Sequence, residues 1–127
     1  MSKVIIIGPG HPLRGGLATF NQRLAKEFIQ SGHECSICSF SLQYPRIFFP
    51  GKSQYTNEPA PEGLTIRSLI NSINPFNWFG VGNKLRNEKP DIIVVRFWIP
   101  LMGPALGTIL RRVRKNKLTK IICIADN

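Results

Sequence analysis

Lys3-Val4-Ile5-Ile6-Ile7-Gly8-Pro9-Gly10-His11-Pro12-Leu13-Arg14-Gly15-Gly16 is the stretch that decides how this chain folds. Its first part, Lys3 to Gly8, is an apolar β-branched run. It reads as a strand buried on both faces, as central parallel strands are. Pro9, Gly10, Pro12 and the pair Gly15-Gly16 interrupt any regular element and read as a loop. From Leu17 the apolar spacing changes to three and four. Leu17, Phe20, Leu24, Phe28 and Ile29 mark one face of a helix running from Gly16 to Ser31, with Ala18 and Ala25 beside it. Strand, glycine-rich loop and helix open an α/β sheet. Such a loop brings backbone N–H groups and a helix N-terminus to an anion.

The rest of the chain continues this alternation. Gly32 is expected at the left-handed position that ends the first helix. Second and third strands are predicted at Glu34–Phe40 and Leu64–Ile70. Asn74-Pro75 reads as N-cap and first residue of a helix to about Glu88, with Gly80 and Gly82 as candidate breaks. Asp91–Phe97 is the fourth strand. Gly103-Pro104 opens a third helix with the apolar face Ala105, Leu106, Ile109, Leu110 and Val113. Lys120–Ala125 is the fifth strand. Between Ser41 and Gly63 lies a long irregular stretch with four prolines. Its Ile47-Phe48-Phe49 is expected to pack on the domain or to touch a ligand, a partner or a membrane.

These elements predict an α/β fold: a Rossmann-like, doubly wound parallel sheet of five strands, order 3-2-1-4-5, with right-handed crossovers. Ligands bind such sheets at the C-terminal ends of the strands, near the switch between the first and fourth. That edge carries Gly8 to Gly16, Ser39 to Ser41, Arg96 to Pro100, and Asp126-Asn127. At 127 residues the chain is read as one domain. The sequence stops just after the fifth strand, where a further covering helix is usual, so more chain is expected in the intact protein.

The chain carries 17 Lys and Arg against 7 Asp and Glu, a net charge of +10. Arg111, Arg112, Arg114, Lys115, Lys117 and Lys120 concentrate this charge. They form either a solvated helix end and turn or a surface for an anionic partner. No aromatic residue interleaves them, which disfavours a single-stranded nucleic-acid groove. No apolar run approaches the roughly 18 residues of a membrane span, and no signal peptide is recognised. A cytoplasmic location is expected, with peripheral contact at the cytoplasmic membrane face left open. Three cysteines argue against a disulfide framework. Cys35 and Cys38 have C-x-x-C spacing, but in a strand they point to opposite faces and are read as structural.

The loop fails both common nucleotide patterns. Gly8-Pro9-Gly10-His11-Pro12-Leu13 lacks the third glycine of G-x-G-x-x-G, and Ser39-Phe40-Ser41 stands where a ribose-binding acid belongs. Gly10 to Gly15 fits the glycines of a phosphate loop, but Gly16-Leu17 replaces its Lys-Ser/Thr.

The apolar strand followed by Gly-Pro-x-x-Pro-x-x-Gly-Gly, then Leu24-Ala25 and Ser31-Gly32-His33-Glu34-Cys35, resembles the start of family 4 glycosyltransferases of the GT-B fold. Lys89-Pro90-Asp91-Ile92-Ile93-Val94-Val95 and Trp98-Ile99-Pro100 extend the resemblance over nearly the whole chain. It implies that residues 1–127 are an N-terminal, acceptor-side domain. The donor-binding C-terminal domain, with its paired glutamates, is absent from this chain, so the fragment alone is expected to be inactive. It further implies a hexosyltransferase type of enzyme. The intact protein would move a sugar from a nucleotide-sugar to a polysaccharide, lipid-linked or other glycan acceptor, with retention and with no metal or cofactor required.

Carried over by residue, Gly15 and Gly16 meet the donor diphosphate through main-chain N–H groups. Arg14 is a candidate to add charge there or to touch acceptor, or is an exposed loop cation. His11 is a candidate for sugar hydroxyls or a solvated turn residue. Arg96 and Trp98 are candidates to line the acceptor pocket, Trp98 alternatively being core. A functional His usual after a later strand of this domain is missing. Either that residue lies beyond Asn127, or Asp126 or Asn127, in the comparable place and candidates for the acceptor pocket, takes a related role; the catalytic residue is unassigned. His33, at the opposite edge, reads as structural. No nucleic-acid partner is expected. The alternative is a non-catalytic Rossmann-like module that binds anionic lipid or nucleic acid through Arg111–Lys120.

Overall fold

Five strands, β1 (Lys3–Ile7), β2 (Glu34–Leu42), β3 (Thr65–Asn71), β4 (Ile92–Phe97) and β5 (Lys120–Ala125), pair in parallel in the order β3-β2-β1-β4-β5. The computed structural model describes residues 2–11, 13, 15–42, 59–97 and 102–125. Arg14, Trp98, Asp126, Asn127 and the run Ile47-Phe48-Phe49 lie outside them. Val4 to Ile7 are each at most 1% exposed. Burial of such side chains contributes about 1.5–3 kcal/mol apiece, an upper estimate because the unfolded chain is already partly collapsed.

Helix α1 (Gly16–Gln30) covers one face of the sheet; α2 (Pro75–Glu88) and α3 (Gly103–Val113) cover the other. Strand parity divides the core accordingly. Ile5, Ile7, Cys38, Ile93 and Val95 pack with α2 and α3, while Val4, Ile6, Cys35, Ile37 and Val94 pack with α1. The two cysteines therefore do face opposite layers. Burial pushes the Cys35 thiol up to about 11 and the Cys38 thiol up to about 12. Neither is poised as a thiolate. No group of three metal-binding side chains occurs among the described residues.

The ends of the elements follow local chemistry. Gly32 adopts φ 91° after α1, and His33 N–H returns to the Phe28 carbonyl at 3.0 Å. His33 Nδ1 accepts from Ser2 N–H at 3.1 Å, which makes this histidine a clamp on the N-terminal edge. Asn74 caps α2 by accepting from Phe76 and Asn77 N–H. The Lys89-Pro90-Asp91 motif is structural. Lys89 is the left-handed cap of α2, and the Pro90 carbonyl accepts the Thr119 hydroxyl at 2.7 Å. The Asp91 carboxylate accepts Lys3 N–H at 2.7 Å.

Three local expectations need correction. Helix α2 runs unbroken through Gly80 and Gly82. Gly82 faces α3 so closely that a Cβ there would lie 2.7 Å from Arg112 Cβ, so the glycine is a helix contact and not a break. Strand β2 continues through Ser41 and Leu42, beyond the predicted end at Phe40. In α1 the fully buried positions are Ala18, Asn21 and Ala25, whereas Phe20 and Ile29 are exposed by 49% and 39%. Small residues sit at the close approach to the sheet, and the larger ones flank it.

Candidate functional site

The loop from Gly8 to Gly16 leaves the C-terminal end of β1 with Gly8 beside Arg96 of β4 and Gly10 against Ile37 and Ser39 of β2 and Ile66 of β3. Its first half is sunk into the protein and held from both sides. Gly8 N–H donates to the Cys38 carbonyl at 3.2 Å, and Gly10 N–H to Ser39 Oγ at 2.9 Å. Asn21 Nδ2 donates to the Pro9 carbonyl at 2.9 Å, and His11 N–H donates to Gln22 Oε1 at 2.9 Å. Leu13 N–H closes a turn on the Gly10 carbonyl at 2.9 Å, and its side chain enters the α2/α3 core at 2% exposure. Each net hydrogen bond is worth about 0.5–1.5 kcal/mol, and leaving such a buried group unpaired costs about 1–3 kcal/mol. Four polar anchors and one apolar anchor therefore fix the path of this segment.

The second half behaves differently. Gly15 has φ 126° and ψ 169°, a conformation open essentially to glycine alone. Gly15 and Gly16 are exposed, and a Cβ at either would meet nothing within 4 Å. Helix α1 starts here with no side-chain cap and no acidic residue in its first turn. The Gly15 carbonyl is engaged by Thr19 through its N–H and its hydroxyl, both at 3.2 Å. The first N–H groups of a helix have no partner within it, and the helix dipole makes that end attractive to an anion. A loop anchored in its first half thus ends in an exposed glycine pair at a helix N-terminus that has no side-chain cap.

The Arg96 side chain stands beside this loop. Parity along β4 puts Ile92, Val94 and Arg96 on the α1 face, and Ile7 pairs with Val95 one residue below. A Cβ on Gly8 would lie 3.2 Å from Arg96 Cβ and 2.7 Å from Asn21 Nδ2. The guanidinium carbon lies 4.3 Å from the Phe20 ring centroid, a cation–π contact. Arg96 is only 4% exposed. It packs against Gly8 and braces α1 against β4 through Phe20. His11 is partly exposed on the loop itself.

The structure thus brings Gly15, Gly16, His11 and Arg96 to one edge of the sheet. The other sequence candidates, Arg14, Trp98, Asp126 and Asn127, fall outside the described residues. Sequence reasoning did not identify Asn21, Gln22 and Ser39 as anchors. Asn21 carried a visible signal: it is a polar residue inside the apolar stripe of α1, and it is fully buried. Ser39 occupies the place where a dinucleotide enzyme keeps its ribose-binding acid, and here it holds the loop.

The opposite edge carries a different polar cluster. Arg67 and Glu88 form a bidentate pair at 2.6 and 2.8 Å, joining β3 to the end of α2. The Arg67 hydrogen bonds hold the Glu88 carboxyl below its ordinary range, and the same bonds raise Arg67. Lys84 lies 3.9 Å from Glu88 on the same helix. This pairing is a half-buried clip between β3 and α2.

The family model for Glycosyltransferase Family 4 matches residues 14–118. No curated protein matches the sequence. Two solved structures share the fold. One is described as an alpha-glucosyltransferase in complex with UDP and a 13-mer DNA containing a central A:G mismatch. Its TM-score is 0.57 at 10% identity, over 97% of this chain and 30% of that one. The other is an alpha-glucosyltransferase in complex with UDP and a 13-mer DNA containing a HMU base. It gives a TM-score of 0.53 at 13% identity, over 95% of this chain and 30% of that one. The chain therefore spans just under a third of the length of these structures.

Proposed function

The chain belongs to Glycosyltransferase Family 4, and from that membership we propose that it forms the acceptor-side domain of a two-domain, GT-B type enzyme using a nucleotide-sugar. The single observation that carries the reading is the loop. Asn21, Gln22, Ser39 and Leu13 hold its first half, and it ends in the exposed, uncapped pair Gly15-Gly16. Main-chain donors fixed in advance need no reorganisation when charge develops on a leaving group, which is the main requirement of electrostatic catalysis.

In this reading the bond between the sugar's anomeric carbon and the diphosphate breaks, and the bond electrons leave with the diphosphate. The Gly15 and Gly16 N–H groups and the positive end of α1 stabilise that developing charge. Arg14, the residue before Gly15 in sequence, supplies a cation in this reading. An acceptor hydroxyl forms the new glycosidic bond as its proton passes to the departing diphosphate, and the anomeric configuration is retained. His11 and the sheet edge at Arg96 face the acceptor. The donor's base and sugar are held by a second domain of the intact protein.

The test is transfer by the intact protein. It is incubated with a panel of radiolabelled nucleotide-sugars and glycan or lipid-linked acceptors. Sugar transfer or donor hydrolysis with at least one donor is expected, together with its loss in Gly16→Val. Full turnover in Gly16→Val would remove the loop from the mechanism, and no turnover or binding with any nucleotide-sugar would remove the reading itself.

A further inference from the structure

The basic segment named from the sequence is resolved by the structure into two parts with different work. Arg112 is occupied: its Nε donates to Asn83 Oδ1 at 3.0 Å, and its guanidinium carbon lies 5.4 Å from the Phe79 ring centroid. It is a packing residue between α2 and α3. Arg111, Arg114, Lys115, Lys117 and Lys120 are all exposed. None of these five makes an ion pair among the described residues.

At their centre is an apolar side chain held outward. The turn after α3 is fixed by Asn116, whose Oδ1 accepts Leu118 N–H at 2.8 Å and Thr119 N–H at 3.1 Å. Asn116 Nδ2 donates to Thr119 Oγ1 at 2.9 Å and to the Arg86 carbonyl at 3.4 Å. Lys117 takes the left-handed conformation at φ 58°. The result is an ordered turn that displays Leu118 at 66% exposure between Lys117 and Lys120. Arg111 and Arg114 also border an open groove of about 500 Å³ with Leu110 and Ile121.

We propose that this turn docks the domain on an anionic lipid bilayer, with Leu118 entering the interface and the five cations meeting lipid phosphates. Charge complementarity supplies the attraction, since basic side chains near an anionic leaflet each strengthen binding. The exposed Leu118 decides between partners. A duplex gains from the cations alone, whereas a bilayer also takes up the apolar tip. The surface lies at the edge where the strands begin, and the glycine-rich loop lies where they end. A six-residue strand spans about 20 Å, so the docking turn and the glycine-rich loop are separate.

The test is co-sedimentation of the protein with vesicles of phosphatidylcholine alone or mixed with phosphatidylglycerol, over a salt series. Binding is expected only to the anionic vesicles and should weaken as salt rises. Leu118→Ser should weaken it about ten-fold, and Lys115→Glu or Lys117→Glu each about five-fold or more. A duplex DNA arm separates the alternative: Leu118→Ser should leave any DNA binding unchanged. Transfer to a soluble acceptor should be the same in Leu118→Ser, so failure here would not touch the proposed activity. Absent vesicle binding, equal binding to neutral vesicles, or an unaffected Leu118→Ser would each overturn the proposal.

Discussion

Replacing Gly16 by alanine separates what the glycine does for the fold from what it does for a ligand. Gly16 is the first residue of α1, is exposed, and a Cβ there would touch nothing within 4 Å. Its φ does not lie in the left-handed region. Alanine therefore creates no strain and no clash. It is a better helix former by at most about 1 kcal/mol in a helix interior, and by less at a terminus. Unfolding stability should stay the same or rise by a few tenths of a kcal/mol. Ligand binding should move the other way. A methyl group beside the N–H blocks close approach of a diphosphate, and a hydrogen bond to a charged group is worth about 1.5–3 kcal/mol. That loss corresponds to roughly ten- to hundred-fold weaker binding. Urea unfolding supplies the first quantity, and calorimetric titration of the intact protein with a nucleoside diphosphate supplies the second. Gly15→Ala is the contrast, because its φ of 126° predicts about 1–3 kcal/mol of strain as well. Unchanged affinity in a Gly16→Ala protein of unchanged stability would refute the reasoning.

Other consequences follow from the packing. Gly80→Ala meets open space inside α2 and should stabilise by about 0.5–1 kcal/mol, whereas Gly82→Ala should destabilise by about 1–3 kcal/mol against Arg112 and the Ile109 carbonyl; equal urea midpoints would contradict this. Glu88 has its carboxyl held below the ordinary range by Arg67, so the pair contributes fully above the unfolded-state value and is lost as pH falls through the folded one. Partial solvent access limits this to about 1 kcal/mol. Glu88→Gln should lose stability at neutral pH and flatten the acid limb of the stability profile, and an unchanged limb would exclude the pair as its source. A thiol reagent should label Cys123 alone in the native protein and all three cysteines after denaturation, because Cys35 and Cys38 are buried. Rapid native labelling of either buried thiol would contradict the core assignment.

Much of the fold was legible because parallel strands announce themselves. Val4–Ile7 and Ile92–Val95 are apolar at every position, and Asn74-Pro75 and Gly32 mark helix ends by their own chemistry. The strand order followed from the alternation of elements. What escaped was tertiary. Gly82 looked like a helix breaker because its partner, Arg112, lies 30 residues away in sequence. The apolar spacing of α1 favoured its large side chains, but the closest contact with the sheet needs Ala18 and Ala25, and Phe20 is turned to Arg96. The ends of the loop were readable in Gly8 and Gly15-Gly16. Of its anchors, Asn21 showed only as a polar residue in the apolar stripe of α1 and Ser39 gave no sign, since each acts across a long-range contact. The basic run was visible as charge, but only the structure separates Arg112 from the five exposed cations around Leu118.

The central claim is that the main chain at Gly15 and Gly16 receives the donor's diphosphate. The most direct measurement is a heteronuclear NMR titration of the intact, isotope-labelled protein with a nucleoside diphosphate, following backbone amides. The account predicts large, saturable shifts at Gly15 and Gly16, smaller ones at the anchored Gly10 and His11, and none at Gly80 or Gly82. Saturable binding that leaves the Gly15 and Gly16 amides unmoved would contradict it.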